Sequence, residues 1–409
     1  METNQDGNLV KAPEGVDQSV WDSWGKWKEL PANDFRSIVS RGLEGRNIGL
    51  SNGLKNINKY IYGTHQARYY LIGADSGAGK TTCTNFMFLF HAWKSAKLQG
   101  RTFKAFYCSF EIGKSDSIAR WCSYYVYDKH KVELPSDYIL GRIEGKLMTK
   151  EHTRMVMEAY NEVNLLLKDV VFIEDTVHPT KIFEDLIEAH YEKAGKVIRM
   201  ELTEEQRKKH RKGFVKGFIP NDPDMITMLF IDHLALTGSE QGLDTKHIMD
   251  KMSRYAVVLR NMFHCTIVFI QQFSTDLMSW HRTMKKTPQA VIPQRIDFGD
   301  SKATYRDADV VIGYVKPASF DYAEFMGYKV TGDDGLGRYL IMQCLMKNRY
   351  GPDGRVFPLF LDGLTGHVYD LPLTPNNPFL MKEWVDKANK IEQLCQYQFS
   401  PQGNLQLQG

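Results

Sequence analysis

The chain alternates between polar stretches and short apolar runs with little polar interruption. Arg68-Tyr69-Tyr70-Leu71-Ile72-Gly73 is the first such run. Lys104–Phe110, Val170–Ile173, Met228–Ile231 and Thr266–Ile270 follow it. They are too short for buried helices and rich in β-branched and aromatic residues, which predicts strands covered on both faces. The stretches between them read as helices, with Thr81 to Lys97 the clearest. Strands alternating with helices predict an α/β fold around a mostly parallel sheet. No internal repeat is visible.

The flanks read differently. Residues 1–16 are polar, carry Pro and Gly, and are expected to be disordered. Trp21, Trp24 and Trp27 recur at intervals of three, so a helix there would line them up on one side, although Gly25 weakens that helix. Such a stripe packs either on its own domain or on a neighbouring subunit. Residues 199–216, with Arg207, Lys208, Lys209, Arg211 and Lys212, look like an insertion before the Met228–Ile231 strand. They form either a solvated face or a patch for nucleic acid or a partner. The expected division is an N-terminal tail and linker-like helix over 1–44, a main domain over 45–375, and a C-terminal helix and tail over 376–409.

Composition narrows the class only a little. The 409 residues are 43% hydrophobic and 25% charged, the balance of a soluble globular protein. A net charge of +3 is near neutral, so any polyanion would have to be met by locally placed cations. The six cysteines show no metal-ligand or redox spacing and read as reduced, buried thiols. No signal peptide and no apolar run of membrane-spanning length is present, so the expected location is the cytoplasm, with no membrane partner.

Specific chemistry begins where the first strand ends. Ala74-Asp75-Ser76-Gly77-Ala78-Gly79-Lys80-Thr81-Thr82 is a glycine-rich loop opening a helix. A phosphate cradle needs backbone N–H groups turned inward and a helix N-terminus facing the anion, and glycines permit that curl. Lys80 is placed to reach the β- and γ-phosphates, and the Thr81 hydroxyl to complete a Mg²⁺ shell. The expected ligands are therefore ATP and Mg²⁺. Carboxylates that serve the metal and the attacking water belong at the same edge of the sheet, at the ends of neighbouring strands. Asp232, which closes Met228–Ile231, is the metal candidate. Glu111, after Lys104–Phe110, is a candidate base, with Glu174 and Asp175 as rivals.

The order and spacing of these blocks resemble the motor domain of DnaB-type hexameric replicative helicases, a RecA-like P-loop core, from about Gly45 to Leu371. Ser109-Phe110-Glu111-Ile112 is similar to the family's Ser-Leu-Glu-Met, whose glutamate is catalytic, which favours Glu111 over Glu174. Phe230-Ile231-Asp232-His233-Leu234 resembles its Walker B strand. In Ile270-Gln271-Gln272-Phe273, Gln272 takes the place of its polar sensor. The stretch from Arg295 to Asp309 resembles a pore loop that grips single-stranded DNA, implying contacts from Arg295, Asp300 and Lys302. Lys347-Asn348-Arg349-Tyr350-Gly351-Pro352-Asp353-Gly354 resembles a hairpin whose lysine and arginine reach the neighbouring subunit's γ-phosphate.

The sequence also departs from that pattern. Gly299 stands where the family has arginine and Lys302 where it has glycine, with Lys285 and Lys286 as further nearby cations. Only about sixty residues precede the first strand, so the collar domain of the bacterial proteins is missing, as in phage-encoded versions; the host cytoplasm would then be the location. The resemblance implies a ring, expected to be a hexamer, that hydrolyses ATP, moves on single-stranded DNA and unwinds duplex, with a primase or loader as a further partner. The second reading is a RecA-like ATP-dependent binding or assembly factor that unwinds nothing.

Overall fold

In the computed structural model, the described residues are 35–174, 182–205, 213, 215–237, 244–274, 287–299 and 302–398. The Trp21, Trp24 and Trp27 stripe, the basic run 207–212, Lys285, Lys286, Asp300 and the last residues of the tail lie outside them.

The main sheet has a parallel part made of β1 (Tyr69–Ala74), β2 (Phe103–Ser109), β3 (Val170–Ile173), β6 (Ile226–Asp232), β7 (Thr266–Gln272) and β8 (Val310–Val315). An antiparallel wing extends it through β11 (Leu340–Asn348), β12 (Arg355–Asp362) and β13 (His367–Asp370). Together these nine strands lie in the order β13-β12-β11-β8-β1-β7-β6-β2-β3. Two small antiparallel hairpins stand apart from the sheet. One pairs β4 (Gly195–Arg199) with β5 (Val215–Pro220) and joins the flanks of the basic insertion. The other pairs β9 (Glu324–Phe325) with β10 (Tyr328–Lys329). The five strands expected from apolar runs all lie in the parallel part, whose residues are nearly all buried.

Alternate side chains feed two cores, one on each face. Tyr69, Leu71, Leu229 and Ile231 point to the layer that includes Met252, Ala256 and Leu259 of the Thr245–Phe263 helix. Tyr70, Ile72, Met228 and Phe230 point to the layer of Phe86 to Ala96, Trp121 and Leu166. The period-two orientation of a strand accounts for the split. The C-terminal helix Pro378–Gln393 joins the first layer through Val385, Ala388 and Ile391.

The predicted Thr81–Lys97 helix is continuous but not uniform. It runs as α-helix over Lys80–Thr84, widens to a π-turn over Asn85–Phe90, and returns to α-helix over His91–Leu98.

Candidate functional site

Two clusters of functional side chains lie at opposite edges of the sheet. The first stands where the parallel strands end. β1 ends at Ala74, paired with Gln272 of β7, and Ser109 of β2 is paired with Asp232 of β6. The chain turns from β1 into the loop, and Gly77 and Gly79 take φ of 72° and 86°. These values favour glycine because a Cβ clashes there. At Gly79 a Cβ would also stand 2.5 Å from Leu361, whereas at Gly77 it would meet nothing within 4 Å. The loop is therefore packed from behind and open in front. Ala78 is buried, Lys80 nearly so, and the helix begins at Lys80.

Asp232 sits at the end of a fully buried strand and accepts a 2.7 Å hydrogen bond from the Thr81 hydroxyl through Oδ2. Its other oxygen, Oδ1, is buried without a hydrogen-bond partner. Burial raises its pKa to about 6, against the lowering effects of the Thr81 bond and the Lys80 charge. A buried acceptor of this kind is costly unless something positive satisfies it. The donor set of one hydroxyl and one carboxylate suits a hard, oxygen-seeking cation. Mg²⁺ usually takes only one or two protein groups and completes its shell with water and substrate phosphate. The residues present fit that group.

Glu111 is half-exposed beyond β2, in a segment fixed by the Phe110 N–H donating 2.8 Å to the Asp232 carbonyl. Its Oε2 lies 3.6 Å from Lys80 Nζ and 4.0 Å from His233 Nε2. Burial lowers the pKa of His233. With Glu111 so exposed, the pair with Lys80 is worth no more than about 1 kcal/mol, which a polyanion can displace. The rival Glu174 is engaged elsewhere, accepting 2.7 Å from the Lys114 N–H at the start of the Lys114–His130 helix. Asp175 lies outside the described residues. Gln272 closes β7 and is exposed, between the strands that bring the loop and Asp232. Its neighbour Gln271 is buried, donates to the Phe298 carbonyl at 2.6 Å and accepts from Thr304 at 2.8 Å. Those bonds hold the segment carrying Arg295 and Lys302, both exposed, against the end of β7.

Beside the loop lies a cavity of about 360 Å³ lined by Thr82, Asn85, Arg120, Tyr124, Leu364 and Gly366 among others. Arg120 and the 363–366 turn carry no sequence signal beyond a helix and an Asp-Gly turn, and sequence reading missed them. The carbonyl oxygen of the Asn85 side chain accepts 2.9 Å from Tyr107. This contact stands on the first residue of the π-turn, a feature that recurs near functional sites.

The second cluster is at the other edge. β11 runs antiparallel to β8 and ends beside its start, with Asn348 paired to Val310, while Ala74 is level with Tyr314. The hairpin expected over 347–354 is the turn between β11 and β12. Lys347 Nζ donates to the carbonyls of Tyr305 at 2.9 Å and Arg306 at 2.8 Å. Burial, then the Arg349 charge, lowers its pKa to about 8. Arg349 donates to the Arg306 carbonyl at 2.9 Å and faces Asp309 at 3.4 Å. Asp309 is buried and also accepts from the Tyr69 N–H at 2.9 Å and from Arg260 at 2.8 Å. The cluster is thus bolted to the beginning of β1, and the glycine-rich loop stands at its end. At about 3.3 Å per residue, the five steps from Tyr69 to Ala74 put roughly 17 Å of strand between them.

A parallel sheet with a glycine-rich loop at the end of β1 and a carboxylate at the end of β6 defines a RecA-like P-loop NTPase fold. Compared with solved structures, it shares the fold of DnaB-type helicase motor domains. A helicase ATPase domain solved on its own is similar at a TM-score of 0.59 and 15% identity, over 84% of this chain and 100% of that one. A DnaB-like replicative helicase, solved in a study of its interactions with primase, is similar at 0.57 and 15%, over 86% of this chain and 71% of that one. The sequence matches no protein-family model and no curated protein. No helix of the described residues is long and apolar enough to cross a membrane.

Proposed function

We propose that the chain is the motor subunit of a ring that hydrolyses ATP, moves on single-stranded DNA and unwinds duplex. The observation carrying this reading is the separation of the two clusters. Lys347 and Arg349 stand at the edge of the sheet away from their own glycine-rich loop, so the phosphate they serve belongs to another copy. A closed chain of such contacts is a head-to-tail ring.

In each shared site the loop N–H groups and Lys80 hold the β- and γ-phosphates, and Thr81 and Asp232 hold Mg²⁺, which neutralises phosphate charge when bound. Thr82 and Arg120 line the cavity that would take the nucleoside. Glu111 accepts the proton of the attacking water as its oxygen bonds to the γ-phosphorus and the bond to ADP breaks. Lys347 and Arg349 of the adjacent copy neutralise charge developing on the phosphoryl oxygens. Gln272 links the γ-phosphate to the Phe298–Thr304 segment, from which Arg295 and Lys302, with Asp300 between them, approach the DNA backbone. Contacts of that kind are salt-sensitive and indifferent to sequence.

The decisive experiment is strand displacement on a forked duplex, with ATP turnover measured with and without single-stranded DNA. Turnover stimulated by DNA and displacement requiring ATP are expected. Lys80→Ala should bring both to background and weaken nucleotide binding. Stimulated turnover without displacement would favour the binding or assembly factor, and turnover indifferent to nucleic acid would remove the DNA motor.

A further inference from the structure

Glu111 has two cationic or N–H neighbours with different duties. Lys80 approaches its Oε2 at 3.6 Å, and His233 Nε2 approaches the same oxygen at 4.0 Å. Lys80 is also the group that must turn to the phosphates, so it cannot keep the carboxylate once a triphosphate is bound. His233 has no such second task. It follows Asp232 at the very end of β6 in an extended conformation, with φ −115° and ψ 160°, and is 8% exposed. Its Nδ1 is buried and has no hydrogen-bond partner. An imidazole carries an N–H on at least one ring nitrogen, and it is the Nε2 side that faces an acceptor, the Glu111 carboxylate.

We infer that His233 is a positioning residue for Glu111, a conclusion that rests on the reading of Glu111 as the base. When nucleotide draws Lys80 away, Nε2–H becomes the donor to Oε2, and the other oxygen is left aimed at the water. The shift is small: a hydrogen bond needs about 2.8–3.0 Å, roughly 1 Å closer than the two groups now stand. A half-exposed glutamate can make that movement, whereas the imidazole, fixed next to the metal carboxylate, cannot wander. The geometry also explains why the strand ends in Asp-His. The first residue anchors to Thr81, and the second keeps the catalytic carboxylate within reach of the same phosphate.

The test compares His233→Phe, His233→Gln, Glu111→Gln and the double variant His233→Phe/Glu111→Gln in the full chain. Measured quantities are DNA-stimulated ATP turnover, affinity for a fluorescent ATP analogue, and melting temperature. Base catalysis is worth about 10²–10⁴ in rate, and loss of orientation alone should cost about tenfold of it. His233→Phe should therefore lower kcat about tenfold while KM and analogue affinity stay within about twofold. His233→Gln, whose amide N–H can reach the carboxylate, should recover most of the loss. In the Glu111→Gln background His233→Phe should remove nothing more from the residual rate. A His233→Phe enzyme with wild-type kcat overturns the inference, and so does a Gln variant as slow as Phe. So does a Phe penalty that persists without the glutamate, because a merely structural histidine would behave that way. Should the Phe side chain prevent folding, His233→Leu takes its place with the same outcomes. Normal turnover by Glu111→Gln would instead remove the assignment of the base itself.

Discussion

The two edges of the sheet hold equally polar clusters, but their acids are built for different work. At the loop edge, Glu111 is 41% exposed and touches its neighbours only at 3.6 and 4.0 Å. At the hairpin edge, Asp309 is 2% exposed and is bonded by Tyr69, Arg260 and Arg349. The first is free to change partners; the second fixes a geometry. One edge is a site waiting for charge to arrive, and the other is a tool held ready for use elsewhere. A single copy contains both halves and cannot join them.

The largest effect should come from breaking the reach between copies. Arg349→Ala should lower turnover by about 10³–10⁵ while leaving nucleotide binding nearly intact, because the loop edge is untouched. Subunits carrying Arg349→Ala mixed with subunits carrying Glu111→Gln should regain part of the rate, since some seams then pair an intact loop edge with an intact arginine. Recovery absent at every mixing ratio, with mixed rings shown to form, would mean that the arginine acts within its own chain.

The next effect sharpens the contrast between the acids. Asp309→Ala leaves the Arg260 guanidinium, 13% exposed, without its carboxylate. Removing one partner of a buried pair typically costs about 3–5 kcal/mol, and urea unfolding should show a loss of that order. Glu111→Ala, by contrast, should change stability by no more than about 1 kcal/mol. Equal losses would mean that the loop-edge glutamate is as structural as Asp309.

How much of this is legible in the sequence follows from the physics of each part. The parallel strands are readable because burial on both faces leaves unbroken apolar runs such as Met228–Ile231. β8 is equally apolar, Val310 to Val315, but directly follows the stretch from Arg295 to Asp309, whose polar residues draw the reading to chemistry instead. β12 and β13 interleave polar residues such as Arg355, Asp362 and His367 with apolar ones, so their wing gives no comparable signal. Lys80, Thr81 and Asp232 are legible because a phosphate loop and a strand-end acid are local patterns. That Thr81 bonds Asp232 across 151 positions, or that Asp309 holds Arg349, depends on register and cannot be read. His233 is visible only as one letter of a block. Its role depends on where Glu111 stands in space.

The smallest predicted effect tests the protonation of the hairpin edge. Lys347 titrates near pH 8 in the isolated chain because burial and Arg349 both disfavour its charge. Its folded pKa is lowered, so it is charged below about pH 8 and progressively neutral above. If the ammonium faces the neighbour's phosphate, kcat/KM, which reports the free enzyme, should fall as pH rises through about 8 and lose about tenfold by pH 9. The limb in kcat should lie at higher pH, because a bound triphosphate favours the charged form. Lys347→Arg should flatten both limbs, since a guanidinium stays charged throughout. Lys347→Ala should be uniformly slow, with no limb near 8. A limb near pH 8 that survives in Lys347→Arg would assign the titration to another group and leave Arg349 as the only cation carried across the seam.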